Sequence, residues 1–378
     1  MSSPTPAIAM KKPARALKLR AANLSDYSQI AALECRFGLA SRSYEEWSHV
    51  WLANPAYRER ENGWNIGWVL EEGGGRIVGS MGNVPLAYEC GGKRLLAASG
   101  RSWVVEPEYR SLSLQLLDRV VNQPDIDVYL NTSVSTSSID SVNLFECSRV
   151  PVGSWDQSAF WVTKHRAFFE SVLVKRHGAL LRPLTYPLSA AFRFKDWMSQ
   201  SAVRAHAGDV ESCSRFDARF DDFWEALRER YPRVFLAVRT REILDWHFHV
   251  PLRDRSLWIG AVVSGRSIQA YAIFDRNDNR KSGMTRVRLV DFQSLDGDVW
   301  LPSLLSWALR RCGRENVHVL ESTGRWMEPH GFMRKAAPYR RKLNSWTFFY
   351  RAARPELAEH LKDPAAWAPT LFDGDASF

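Results

Sequence analysis

The sequence predicts an α/β (α+β) protein of two units, each a mixed, mostly antiparallel twisted sheet flanked by helices. Three observations lead there. The 378 residues exceed the usual size of one domain, so two cores are expected. Each half reads in a similar order: amphipathic helix, meander of apolar strands broken by tight turns, helix, strand, short helix, aromatic strand. Between the halves, residues 172–200 lose this pattern and "RPLTYP" punctuates them. The expected division is a flexible tail over 1–15, a first unit over 16–170, a connection over 171–210, a second unit over 211–352 and a C-terminal tail over 353–378. The halves share little residue identity, so the repeat is one of architecture.

In the first half, Leu17 and Leu19 alternate with basic residues, which reads as a strand. Asn23 or Ser25 is then placed to cap a helix carrying Ile30, Leu33 and Phe37 at helical spacing. "SYEEWSHVWLA" predicts a second helix from Ser43 that stops before Asn54-Pro55. Over residues 63–105, apolar runs separated by "EGGG" and "CGGK" predict an antiparallel meander. "RSWVVEPEYRSLSLQLLDRVV" follows as a strand, a polar turn and a helix with leucines at helical spacing. "DVYLNTS" reads as a strand, "SSIDSVNLFECS" as a helix and "VPVGSWDQSAFWV" as a final strand region. In the second half, "FDDFWEALRERYP" and "RTREILDWHFH" read as helices, and a hairpin turns at Ser264-Gly265. "MTRVRLVDFQS" is a third strand; a helix presents Leu301, Leu304, Leu305 and Leu309; "NVHVLES" and "SWTFFYRA" are the last strands.

Composition narrows the classes of function. Hydrophobic residues at 45% and charged residues at 25% give an ordinary globular chain. No window approaches 18 uninterrupted apolar residues, so no membrane span is expected. Prolines and lysines occupy the start where a signal peptide needs an apolar segment, so a cytoplasmic location is expected. Cys35, Cys90, Cys147, Cys213 and Cys312 are scattered without a CxxC pair, which argues against disulfides and a zinc site. His247 and His249 stand two apart with no third ligand cluster, so both are expected to be structural and no metal is expected. The net charge of +9 favours anionic partners. The basic clusters are short and fall in no recognisable nucleic-acid-binding motif, which argues against nucleic acid. There is no GxSxG, HExxH or glycine-rich P-loop.

The stretch "VVEPEYRSLSLQLLD" resembles the acyl-CoA loop of the GNAT (GCN5-related N-acetyltransferase) superfamily, whose central strand ends in V-x-P-x-x-R/Q-x-x-G-x-G/A before a helix. Val105, Pro107, Tyr109 and Arg110 occupy the matching places. "YLNTSVSTSSIDSVNLFECSRVPVG" is similar to the family's next strand, its asparagine-bearing loop and its late helix, and "HGF" at 330–332 echoes the same ending. The likeness covers most of residues 17–165 and, more faintly, 216–352. It implies tandem GNAT-like domains that transfer an acyl group from acetyl-CoA or another acyl-CoA to a small amine acceptor, with an amino sugar or glycan precursor the first to test. It implies that Trp103, Val104 and Val105 line the pantetheine, that Arg110, Ser111, Leu112 and Ser113 face the pyrophosphate, and that Asn131 begins the next loop. Helix-start amides lack intrahelical partners and carry the positive end of the dipole, which suits a pyrophosphate.

The chain also departs from the family pattern. Ser113 and Gln115 stand where close backbone approach calls for Gly or Ala, and the matching turn of the second unit carries Asp296 and Asp298, which would repel a pyrophosphate. Phe145 takes the place of the tyrosine that protonates the leaving thiolate. Glu106 and Glu89 are the candidate bases, and Tyr109, Ser133 and Asn143 the candidate acids. Two other readings stay open: a degenerate tandem domain acting as a non-catalytic binding or scaffold protein, and a FemAB-like transferase using aminoacyl-tRNA. Among sixteen tryptophans, Trp68 and Trp307 fit core positions, while Trp326, Trp346 and Trp367 are candidates to line an inter-domain groove. The tail "LKDPAAWAPTLFDGDASF" is expected to dock across the domain junction.

Overall fold

Two mixed sheets exchange strands near the middle of the molecule. The computed structural model describes residues 17–40, 42–60, 63–174, 179–199, 209–279, 281–327, 331–343, 347–375 and 377. The expected tail 1–15, His330 and Trp346 lie outside these residues. Strands β1 (Leu17–Ala21), β2 (Gly67–Glu72), β3 (Arg76–Cys90) and β4 (Lys93–Val105) form the antiparallel meander. The β3–β4 turn is the two residues Gly91 and Gly92, with φ of 63° and 70°, which L side chains resist. Between β1 and β2 lie α1 (Tyr27–Arg36), α2 (Tyr44–Leu52) and α3 (Pro55–Arg58). Asn23 caps a short turn that leads into α1, and Ser43 and Glu46 form a capping box on α2.

Helix α4 (Ser113–Val121) then returns the chain to β5 (Val128–Val134), parallel to β4. Leu116, Leu117, Val120 and Val121 of α4 are buried, the single apolar face that the sequence spacing requires. After β5 come α5 (Ile139–Asn143), β6 (Ser148–Arg149), β7 (Ser154–Val162) and α6 (His165–Phe169). The later strands are β8 (Glu211–Cys213), β9 (Leu236–Ala237), β10 (Leu257–Ser264), β11 (Ser267–Arg276), β12 (Arg286–Ser294), β13 (Val319–Gly324), β14 (Tyr339–Lys342) and β15 (Thr347–Ala352). The helix Leu301–Arg314 makes the parallel crossover from β12 to β13.

Among the described residues the first sheet runs β1-β2-β3-β4-β5-β15-β6, with β9 on β3, and the second runs β14-β7-β13-β12-β11-β10-β8. The strand that ends the first pattern, β7, thus pairs with β13 in the second sheet, and the last strand, β15, pairs with β5 in the first. The crossing point is packed by Trp155, fully buried and stacked on Phe348 at 3.8 Å between ring centroids. Gly324 makes room for it: its φ is +101°, and a Cβ there would lie 2.7 Å from the Trp155 ring.

One apolar cluster takes in residues of both sheets, including Leu86, Tyr88 and Phe349 with Tyr271, Ile273 and Val290. A second lies between the second sheet and the helix Leu301–Arg314. The C-terminal segment docks across both sheets. Phe372 is buried, Asp373 accepts from Tyr88 Oη of β3 at 3.2 Å, and Thr370 Oγ1 donates to Asp291 of β12 at 2.8 Å. Trp326 and Trp367 are 2% and 9% exposed, so they belong to the core. No helix among the described residues is long and apolar enough to cross a membrane.

Candidate functional site

Strands β4 and β5 pair only at Ala97–Val128, Ala98–Tyr129 and Ser99–Leu130. Beyond these pairs β4 continues to Val105 and β5 to Val134, so the two strands part and leave a wedge. A bulge sets the divergence. Ser80 pairs with Val104 and Gly82 with Arg101, so Ser102 and Trp103 together oppose Met81, and Ser102 has φ of +50°. Glu106 N–H donates to Val78 O on β3 at 2.8 Å. By strand alternation the N–H of Val105 then points the other way, into the wedge. A two-turn 3₁₀ segment, Pro107–Leu112, leads from the wedge into α4, and no side chain caps the helix start. The N–H of Ser113, first in α4, donates to the Arg110 carbonyl, so an anion at this helix start would share or displace that bond.

The predicted donor-side residues fall in this one region. Val104 and Val105 are buried, Trp103 is half-buried beside them, Arg110 and Ser111 are exposed on the loop, and Leu112 and Ser113 are half-buried at the helix start. Asn131 is the first β5 residue past the last pair. Its side chain serves its own strand, donating to Tyr129 Oη at 3.1 Å and accepting from Ser133 N–H at 3.3 Å.

The three candidate catalytic residues are placed differently. Glu106 sits at the end of β4 between two guanidiniums, Arg36 at 2.7 Å and Arg76 at 2.9 Å. Tyr109 Oη donates to Glu72 at 2.6 Å, and that hydrogen bond holds the phenol above its ordinary pKa. Asn143 is exposed at the last turn of α5. Glu106 and Tyr109 therefore belong to one polar clamp, with Glu72 and Arg76, that fixes the β2–β3 end against the loop. Glu89 is 3.4 Å from Arg228. Phe145 packs half-buried against the main core.

Sequence reasoning named Ser133 but passed over the groups that gather around it at the tips of β4 and β5. Asp375, from the C-terminal segment, accepts from Ser133 Oγ at 2.9 Å and from Thr132 Oγ1 at 2.9 Å, and its own N–H donates to Thr132 Oγ1 at 3.1 Å. Burial raises the Asp375 carboxyl above the usual carboxylate range, against the pull of the two hydroxyls and of Arg101. Arg101, on β4, is pushed down to about 9 by burial and by the neighbouring Arg42. No local sequence pattern could have linked residue 375 to residue 133. The only sign was the polar "DGD" ending of an otherwise apolar tail.

Elsewhere, His247 bonds Ser377 Oγ at 2.7 Å, and the His249 ring stacks on His49 at 4.3 Å. In the second sheet, β12 and β13 also pair in parallel over three residues and then part. Past that point Asp291 of β12 accepts from Arg239, Tyr271, Gln293 and Thr370.

No protein-family model matches the sequence, and no curated protein matches it. Solved structures do match the fold. A GCN5-related N-acetyltransferase from Anabaena variabilis aligns over 90% of this chain and 73% of its own, with 13% identity and a TM-score of 0.53. The N-myristoyltransferase of Saccharomyces cerevisiae, solved with bound myristoyl-CoA, aligns over 93% of this chain and 81% of its own, with 11% identity and a TM-score of 0.55. A GCN5-related N-acetyltransferase from Kribbella flavida aligns over 89% and 71%, with 12% identity and a TM-score of 0.54. With its two mixed sheets and these neighbours, the chain has a GNAT-like fold, in a tandem arrangement.

Proposed function

We propose that this protein is an acyl-CoA-dependent N-acyltransferase that uses the wedge of the first sheet. The observation that carries the reading is the parting of β4 and β5 after three pairs, with the uncapped α4 start beside it. A pantetheine arm would extend along the free edge of β4 past Trp103, Val104 and Val105. The pyrophosphate would meet the start of α4 and the Arg110 guanidinium. That two of the fold's relatives are N-acetyltransferases, and a third an N-myristoyltransferase with bound myristoyl-CoA, supports the same substrate class.

In such a reaction an amine nitrogen attacks the thioester carbonyl, the C–S bond breaks, and CoA leaves as thiolate. The Val105 N–H would stabilise the developing oxyanion. The attacking nitrogen must lose a proton and the thiolate must gain one. Glu106 and Tyr109 would first have to leave their clamp to take part. Asp375, with its raised pKa and its contact to the exposed Ser133 hydroxyl, is the better placed base, and Ser133 the better placed donor. Asn143 is kept as an acceptor-side candidate on α5. Amino sugars and glycan precursors remain the first acceptors to screen.

The non-catalytic reading has its own support: Ser113 and Gln115 replace the small loop residues, and Phe145 cannot donate a proton. Calorimetric titration with acetyl-CoA and with longer acyl-CoAs, followed by a thiol-release assay over an amine panel, separates the two. The expected result is micromolar binding that Arg110→Glu weakens at least ~10-fold, or ~1.4 kcal/mol. No binding of any acyl-CoA at millimolar concentration would defeat the enzyme reading.

A further inference from the structure

The second sheet carries a cavity that the acyl-transfer reading does not use. Its volume is about 240 Å³. It lies on the face of β12 and β13 away from the helix Leu301–Arg314, because Val287, Leu289 and Leu320 pack with that helix and strand alternation turns Arg286, Arg288 and Glu321 to the other side. Arg341 of β14 completes the polar wall, and Leu343 and Leu371 supply an apolar one.

Three guanidiniums thus surround one carboxylate. Glu321 is already engaged, accepting from Ser158 Oγ at 2.6 Å, from Arg341 Nε at 3.1 Å, and lying 3.6 Å from Arg286. Arg286 also donates to Asn277, by Nε to the carbonyl at 3.0 Å and by Nη2 to the side-chain oxygen at 3.1 Å. The buried Asp275 attracts Arg288 from β11. A second observation points to a ligand. Thr323, on the same face two residues beyond Glu321, is 5% exposed, and its buried hydroxyl makes no hydrogen bond among the described residues. A buried polar atom left without a partner is uncommon enough to need an explanation.

We propose that this cavity binds a small organic anion, a carboxylate or phosphate monoester with a short apolar arm. The anionic oxygens take the guanidinium of Arg341 and the Thr323 hydroxyl, and the arm rests on Leu343 and Leu371. Leu371 is part of the C-terminal segment that also carries Asp373 and Asp375, so an occupant touches the segment that reaches the first wedge. The site stands whether or not the first wedge transfers an acyl group.

The test is calorimetric titration of the full chain at low salt with two probes, pentanoate and inorganic phosphate. It uses the wild type, Thr323→Val, Arg341→Met and Arg110→Glu. Thr323→Val keeps the side-chain volume, and Arg341 is exposed enough for methionine to be accommodated; melting curves check both. The expected result is saturable one-to-one binding of at least one probe below ~1 mM. It should be weakened ~10-fold or more by both cavity variants and left unchanged by Arg110→Glu, which reports on phosphate held at the α4 start instead. Preference for pentanoate assigns a carboxylate ligand, and preference for phosphate a phosphate ester. No saturable binding of either probe up to tens of millimolar, or binding that either cavity variant leaves unchanged, would overturn the proposal.

Discussion

Replacing Asp291 by alanine should be among the most damaging single changes in the protein. Arg239 is 1% exposed at its side chain and Asp291 fully buried. The carboxylate accepts from Arg239 Nε at 2.9 Å and Nη2 at 3.2 Å, from Tyr271 Oη at 3.0 Å, from Gln293 Nε2 at 3.0 Å and from Thr370 Oγ1 at 2.8 Å. Burial alone would raise its pKa, but Arg239 outweighs burial and holds it below the usual carboxylate range. Truncation leaves the guanidinium with the Ala237 carbonyl at 2.7 Å, Thr370 at 3.4 Å and Asp373 at 3.5 Å. Removing one partner of a buried ion pair costs about 3–5 kcal/mol. At ~2 °C per kcal/mol for a chain of this size, the melting temperature should fall by roughly 6–10 °C. Replacing both partners with Arg239→Met and Asp291→Leu should recover a good part, because no charge is then stranded. The assay is urea unfolding followed by circular dichroism, run as a double-mutant cycle. A single-variant loss under ~1 kcal/mol would refute the reasoning, since it would mean that the pair is wet.

Three further outcomes are expected. Gly324→Ala must push a Cβ to 2.7 Å from the Trp155 ring at a φ of +101°. It should cost about 1–3 kcal/mol by overpacking, read by the same unfolding curves, with the Trp155 emission shifted. His247 is pushed down to about 3 by burial, so the unfolded chain takes up its proton first; the contribution is full above pH ~6.5 and declines as pH falls towards 3, by up to ~1.4 kcal/mol per unit. Denaturation at pH 7, 6 and 5 should show this slope, and His247→Phe, between the rings of Phe248 and Phe372, should flatten it. Asp375→Asn should leave acyl-CoA affinity intact while lowering turnover ~100-fold at saturating amine; unchanged turnover would remove Asp375 from the proton path.

Local features were legible because local chemistry encodes them. The double glycine at 91–92 marked the β3–β4 turn, the leucine spacing after Ser113 marked α4, and the amphipathic run from Ser43 to Asn54-Pro55 marked α2. Pairing partners were not legible. The alternation of "SWDQSAFWV" identifies a strand, yet nothing in it tells whether β5 or β13 will receive it. Trp155 and Phe348, whose stack marks the exchange, are 193 residues apart. Long-range charge pairing was hidden for the same reason: Glu106 reads as a solvated turn residue until Arg36, 70 positions earlier, is brought beside it. The tail's docking was foreseen from its aromatic, irregular composition, but not its arrival at Ser133.

The central claim is that the β4–β5 wedge receives an acyl-CoA. Hydrogen exchange of the full chain, with and without saturating myristoyl-CoA or acetyl-CoA, tests it at the residues concerned. The account predicts slowed exchange across the β4 segment 101–105 and at the α4 start, residues 111–115, with β12 and β13 unaffected. Protection confined to the second sheet, or none at the wedge under conditions where calorimetry shows binding, would contradict it.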